Sequence, residues 1–180
     1  MAAFICRYCG APLETAEISV CECRSCGRLQ SIPLIDSAEK RELLLRAELL
    51  RREQRYDKAI QLYEKMIAMS PVDADLYWAL ALCRYGVLFF ADGGLTLQRT
   101  QAHSFISDSD YQQALKFADE KQRRLMEDIA ALIDEKQRRI SELSVGISYD
   151  VLLCSSTDEE SVGYSMTLYL SLIHISEPTR

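Results

Sequence analysis

Residues 41–86 read RELLLRAELLRREQRYDKAIQLYEKMIAMSPVDADLYWALALCRYG. The small residues Ala47 and Ala81 let neighbouring helices approach closely, and Ala59 and Tyr63 lie one turn apart on the face that meets them. Pro71 ends the second helical segment and opens the next. The stretch is therefore a helical hairpin running into a third helix. A cysteine-rich segment precedes it, and a long charged helix and a short apolar segment follow. The fold class expected is mainly α, and no active site is visible.

Leu43, Ala47, Ala59, Tyr63, Met66 and Pro71 fall on a spacing that recurs 34 residues later at Tyr77 and Ala81. This resembles the tetratricopeptide repeat, in which large, small, Ala, aromatic, packing and Pro positions stand at those offsets. The match covers one repeat and the first helix of another. A free-standing solenoid needs about three repeats, so a packed hairpin without a peptide groove is an equal reading. The resemblance implies a scaffold first and a peptide-binding surface second.

At 180 residues and 48% apolar content the chain is long enough for one ordinary core or two to three small ones. A net charge of −6 with acids and bases interleaved argues against a nucleic-acid-binding body. The longest apolar run, residues 76–91, is interrupted by Arg84 and falls short of the roughly 20 residues a membrane helix needs. The N-terminus, MAAFICRYCG, carries no basic segment followed by an apolar one. A cytoplasmic protein with no membrane contact is expected. In that compartment seven cysteines, an odd number, point to metal thiolates rather than disulfides.

Cys6-Arg7-Tyr8-Cys9-Gly10 and Cys23-Arg24-Ser25-Cys26-Gly27 are two C-x-x-C-G knuckles. Each turns both sulfurs toward one centre, and the glycine after the second cysteine permits the positive φ that aims backbone amides at the thiolates. Cys6, Cys9, Cys23 and Cys26 complete a tetrahedral shell with no open position, so the expected cofactor is a structural zinc ion. In so small a segment its binding energy, on the order of 10 kcal/mol or more, is most of the folding energy. The segment resembles a small zinc ribbon. Redox chemistry is the weaker reading because two matched pairs recur. Cys21 is left as a spare thiol. Arg7, Arg24 and Arg28 are too few, against Glu14, Glu17, Glu22 and Asp36, to make the ribbon a nucleic-acid binder.

Residues 29–34 read as an extended exit from the ribbon, and Asp36 with Glu39 as a capping box for the first helix. The short linker predicts that ribbon and helices pack together. Residues 95–106 read as a loop or short strand pair, with His103 a surface or packing residue. Ser107-Asp108-Ser109-Asp110 opens a helix from about Tyr111. Its stripe of Leu115, Ala118, Leu125, Ile129, Leu132, Ile133, Ile140 and Leu143 is amphipathic, with a break near Asp119-Glu120 as the alternative to one long helix. The hexapeptide DEKQRR begins at Asp119 and again at Asp134, placing acids four residues before arginines on a solvated face. The stripe packs on the hairpin or, in the alternative, on a second copy of the chain.

Tyr149-Asp150-Val151-Leu152-Leu153-Cys154 reads as a buried strand, followed by the acidic loop 155–160 and by residues 161–169 with helical potential. This resembles the first strand and loop of a Toll/interleukin-1 receptor (TIR) domain. The order of parts over residues 4–169 resembles a bacterial TIR-domain family with a zinc ribbon and tetratricopeptide-like helices in front, carried by CRYCGAPLE, RYDKAIQLYEKMI and DSDYQQALKFAD. Leu152, Leu153 and Ser155 depart from the more usual Phe, Ile and aromatic, and Gly163 stands inside the first helix. The resemblance implies a signalling or defence protein that assembles with other TIR domains or cleaves NAD through a glutamate on a later helix. That glutamate lies beyond the sequence given, so no residue takes the catalytic role and no enzymatic activity is expected. Residues 170–180, LSLIHISEPTR, read like the in-frame translation of a sequencing-library adapter.

The expected organisation is a zinc ribbon at 1–36, a tetratricopeptide-like hairpin and loop at 37–106, a long amphipathic helical segment at 107–144, an incomplete TIR-like α/β start at 145–169 and an adapter-like tail at 170–180. The expected function is the sensor or docking region of a TIR-domain protein, with protein partners and self-association, and NAD only in the complete parent. The alternative is a stand-alone zinc-ribbon and helical-repeat interaction module without enzymatic activity.

Overall fold

A computed structural model describes residues 4–13, 18–99, 101 and 103–144. The TIR-like start and the adapter-like tail lie outside these residues. Residues Met1–Glu142 form one compact unit. The second unit, Leu143–Arg180, is described only through the helical backbone at its beginning.

The N-terminal segment is two antiparallel hairpins built alike. In the first, β1 (Phe4–Ile5) pairs with β2 (Pro12–Leu13); in the second, β3 (Val20–Glu22) pairs with β4 (Leu29–Ser31). A knuckle forms each tip. Phe4 stands opposite Leu13, and Cys21 opposite Gln30. Phe4 and Cys21 each come two residues before the first cysteine of their knuckle, and both are buried. The spare thiol thus occupies the packing position that Phe4 holds in the other hairpin.

Three helices follow, each packed on the next: α1 (Ala38–Arg52), α2 (Tyr56–Met69) and α3 (Ala74–Arg84). Ser37, not Asp36, caps α1, its Oγ accepting from the Lys40 amide at 3.1 Å. Asp36 stands one residue too early to reach that amide and instead accepts from Ser70 Oγ. At the other end Gln54 takes the left-handed conformation (φ 59°), and the Arg55 amide closes back on the Leu50 carbonyl at 2.8 Å. Pro71 lies in the turn between α2 and α3, and Asp73 caps α3 through the Asp75 amide.

The apolar run at 76–91 is no membrane element: most of it is α3, buried on nearly every side, and β5 (Val87–Phe89), which pairs with β6 (Leu95–Leu97). Among the described residues no helix is long and apolar enough to cross a membrane. The strand pair expected at 95–106 therefore has its first strand upstream, in the apolar VLF segment. His103 has a half-exposed side chain lying edge-on to Tyr85, with Nε2 3.5 Å from an Asp108 carboxylate oxygen.

The long helix is two helices. α4 (Ser109–Phe117) starts behind Asp108, which accepts from the Asp110 and Tyr111 amides. Ala118 is extended at φ −68°, ψ 138°, and Asp119 caps α5 (Glu120–Ser144) through the Lys121 and Gln122 amides. An aspartate that can cap competes with helix continuation, and here it prevails.

The buried line of α5 is Gln122, Met126, Ile129, Ala130, Ile133 and Gln137. Leu132 and Ile140, expected on the stripe, are exposed. Within DEKQRR only the glutamates pair with arginines four residues on, Glu120 with Arg124 and Glu135 with Arg139. The aspartates do other work: Asp119 caps, and Asp134 accepts from the Phe105 amide at 2.6 Å. Both buried glutamines donate to backbone carbonyls, Gln122 to Ser19 and Gln137 to Gln101 and His103.

Two apolar clusters result. One joins the ribbon to α1, α2 and α3 through Phe4, Leu13, Ile32, Leu44, Tyr63 and Leu76. The other joins α3, the β5–β6 hairpin, α4 and α5 around Trp78, Phe105, Tyr111 and Met126. α3 serves both. Because a non-glycine residue in the left-handed region costs about 1 kcal/mol, Gln54→Gly is expected to raise the unfolding free energy by up to about that amount, measured by denaturant titration.

Candidate metal centre

The four knuckle cysteines come together as expected. Their sulfurs all lie within 4.8 Å of one another. Cys6 Sγ is 3.7 Å from Cys26 Sγ, and Cys9 Sγ is 3.7 Å from Cys23 Sγ. A disulfide needs about 2.05 Å, whereas a tetrahedral shell with metal–sulfur bonds of about 2.3 Å places sulfurs about 3.8 Å apart. The spacing therefore suits four thiolates around one ion. Cys21 lies outside the cluster.

The backbone of each knuckle explains the convergence. The Cys6 amide donates to the Ala11 carbonyl at 2.8 Å and the Gly10 amide to the Cys6 carbonyl at 2.9 Å; Cys23 with Arg28 and Gly27 with Cys23 repeat this at 2.9 and 2.7 Å. Gly10 and Gly27 have φ of 79° and 68°, as their place after the second cysteine predicts. Gly10 has a second constraint. A Cβ there would come within 2.7 Å of the Arg52 guanidinium, which donates to the Cys6 carbonyl.

Burial pushes the Cys6 thiol up to about 12. At Cys9 burial acts in the same direction but is outweighed by the Ala11 amide and the neighbouring thiols, bringing it to about 7. Metal binding at neutral pH therefore has to displace protons from this set.

Arg7, between the two cysteines of the first knuckle, is not the surface cation the sequence suggested. It is buried. Its Nε donates to Glu48 at 3.0 Å, its two terminal nitrogens to the Asp75 carboxylate at 2.9 and 2.6 Å, and Nη1 also to the Ser31 carbonyl. Glu48 further accepts from Arg51 at 2.9 Å and from the Tyr63 hydroxyl at 2.8 Å. Arg51 reaches the Val87 and Arg7 carbonyls. Two cations thus meet two carboxylates out of water, and loss of any single one leaves a buried net charge.

Burial alone would raise the Glu48 carboxyl, but Arg51 and Arg7 overcome it and hold the group at about 2. Asp75 differs. Burial raises its carboxyl above the usual range and outweighs the opposing pull of Arg7, which also pairs with Glu48. Lys40 and Asp73 form an adjoining buried pair at 2.9 Å. Cys83 is also enclosed here, and burial lifts its thiol to about 12, which leaves it an inert packing group.

This network was missed in the sequence, although one signal was present. Lys40, Leu44, Ala47, Glu48 and Arg51 lie three and four apart along one face, so the buried face of α1 carries three charges. The ribbon's other ties include Tyr8 against Phe89, with ring centroids 4.8 Å apart, Arg28 donating to the Asp92 carbonyl, and Gln122 of α5 donating to Ser31 Oγ at 3.0 Å.

Glu48→Gln leaves Arg7 and Arg51 with one carboxylate between them and is expected to cost about 3–5 kcal/mol at pH 7. The folded value of Glu48 lies below its unfolded value of about 4.3, so its contribution is whole above that pH and disappears as pH falls through about 2. The stability gap between wild type and Glu48→Gln should close over that window in acid-denaturation curves.

No protein family, curated protein or solved structure matches the chain.

Proposed function

We propose that the four cysteines hold one structural zinc ion. The bound ribbon and its helices would form the N-terminal sensor or docking region of a cytosolic TIR-domain signalling or defence protein. The observation that carries this reading is the closed set of four sulfurs within 4.8 Å of one another. Four thiolates leave no position for substrate, so the ion organises the fold and takes no part in chemistry. Tetrahedral sulfur suits zinc or iron, and zinc is preferred because it adds no redox activity to a scaffold.

The tetratricopeptide-like reading of α1–α3 is supported by the burial of Ala47, Ala59, Tyr63, Met66 and Ala81, and by consecutive packing of the three helices. The role in nucleic-acid binding is weakened further by the withdrawal of Arg7 into the interior. The TIR relationship rests on the order of parts and on YDVLLCS, which lies outside the described residues. In the complete parent, NAD cleavage or assembly with other TIR domains would belong to the later module. Protein partners and self-association belong to the helical region.

Metal analysis of the purified chain should give one zinc per chain and no iron. Any of Cys6→Ser, Cys9→Ser, Cys23→Ser or Cys26→Ser should lower retention sharply, whereas Cys21→Ser should not. The 180-residue chain should release no nicotinamide from NAD. Contiguous genomic sequence behind residue 169 should encode further alternating strands and helices with a cleft glutamate; a coding sequence without them favours the stand-alone module.

A further inference from the structure

We propose that occupancy of the four-sulfur site controls the integrity of α1 and α3, with Arg7 as the linking element, so that metal loss loosens the helical region as well as the ribbon. This rests on the metal-binding reading above. The knuckle that carries Arg7 is held at both ends by cysteines whose partners, Cys23 and Cys26, come from the other hairpin. Its middle is fixed by the same hairpin, since the Arg7 amide donates to Gln30 Oε1 at 2.9 Å. Without an ion, four neighbouring thiols have no covalent reason to stay together, and the knuckle loses its anchor points.

The consequence falls on the helices. Arg7 reaches 41 residues along the chain to Glu48 and 68 to Asp75, joining α1 to α3. Among the described residues it is the cation paired with Asp75. If the knuckle moves, two carboxylates remain inside with Arg51 alone. A buried pair that loses one partner exposes the rest to the full cost of an uncompensated charge. The same knuckle supplies the Cys6 carbonyl to Arg52 of α1 and Tyr8 to Phe89 behind α3.

α3 then carries the disturbance onward. Asp75, Leu76, Ala79 and Leu80 face the ribbon side, while Trp78, Ala81 and Leu82 face the cluster around Phe105. Trp78 is the one tryptophan in the sequence and packs edge-on to Phe105 at 5.6 Å. Its emission reports on the helix both clusters share. The sensed species is a thiophilic divalent cation, and the output is access to the helical surfaces.

The experiment compares the zinc-loaded full chain with the same sample treated with a strong zinc chelator under reducing conditions. Amide exchange of residues 44–51 and 74–83 and Trp78 emission are followed. Chelation should accelerate exchange in both segments at least tenfold on the order-of-magnitude scale of a lost buried partner, with a red-shifted emission, and zinc should restore both. The variant Arg7→Met/Asp75→Asn retains all four cysteines and the Glu48–Arg51 pair; it should load zinc as before and show an acceleration at least about threefold smaller than wild type. A zinc-loaded chain whose helices exchange at an unchanged rate after chelation overturns the proposal, as does a double variant with wild-type sensitivity. Should the double variant not fold, the wild-type comparison decides. A chain that takes up no zinc refutes the metal reading itself, at the loading step and before any exchange is measured.

Discussion

The buried guanidinium of Arg7 is the constraint on which the arrangement depends. An arginine enclosed by protein is tolerable only when its donors are satisfied and its charge is matched, and here two carboxylates from two helices do both. The fork geometry matters as much as the charge, because Asp75 takes both terminal nitrogens while Glu48 takes Nε. Lysine at this position would keep the charge and lose the geometry. A four-cysteine segment of this size has little core of its own, and the ion pair attaches it to the core of its helical neighbour.

α3 is the second organising element. A helix buried on nearly all sides must be apolar all round, and ADLYWALALCR is, apart from Asp75 near its start and Arg84 at its end. Those two exceptions mark where it meets charged partners: Arg7 at one end and Asp110 of α4 at the other. The helix therefore reads as a shared wall between two modest clusters, and neither could lose it and remain closed.

What could be read in advance follows from the range of each interaction. The knuckles were legible because a C-x-x-C-G turn is settled within a few residues, including the sign of φ at Gly10 and Gly27. The hairpin was legible through Ala47, Ala59 and Tyr63, all fully enclosed. The Asp36 cap was misplaced by one residue, because Asp36 and Ser37 both have oxygens able to cap and only the chain direction selects between them. The face of α5 was misjudged because Gln122 and Gln137 look solvent-facing in sequence, yet each meets carbonyls from distant segments. Arg7 with Asp75 is the extreme case: nothing local to either residue announces the other.

The two hairpins of the ribbon share register, knuckle and glycine, so the segment is a pseudo-symmetric pair, each half offering two sulfurs. Two sulfurs are too few to hold an ion firmly, and in the proposed site the second pair would bind with the advantage of already being tethered nearby. For an ion held as proposed, uptake would be all-or-none, with half-loaded intermediates scarcely populated. The halves differ away from the four sulfurs, as where one places an aromatic ring, Phe4, and the other a sulfhydryl, Cys21.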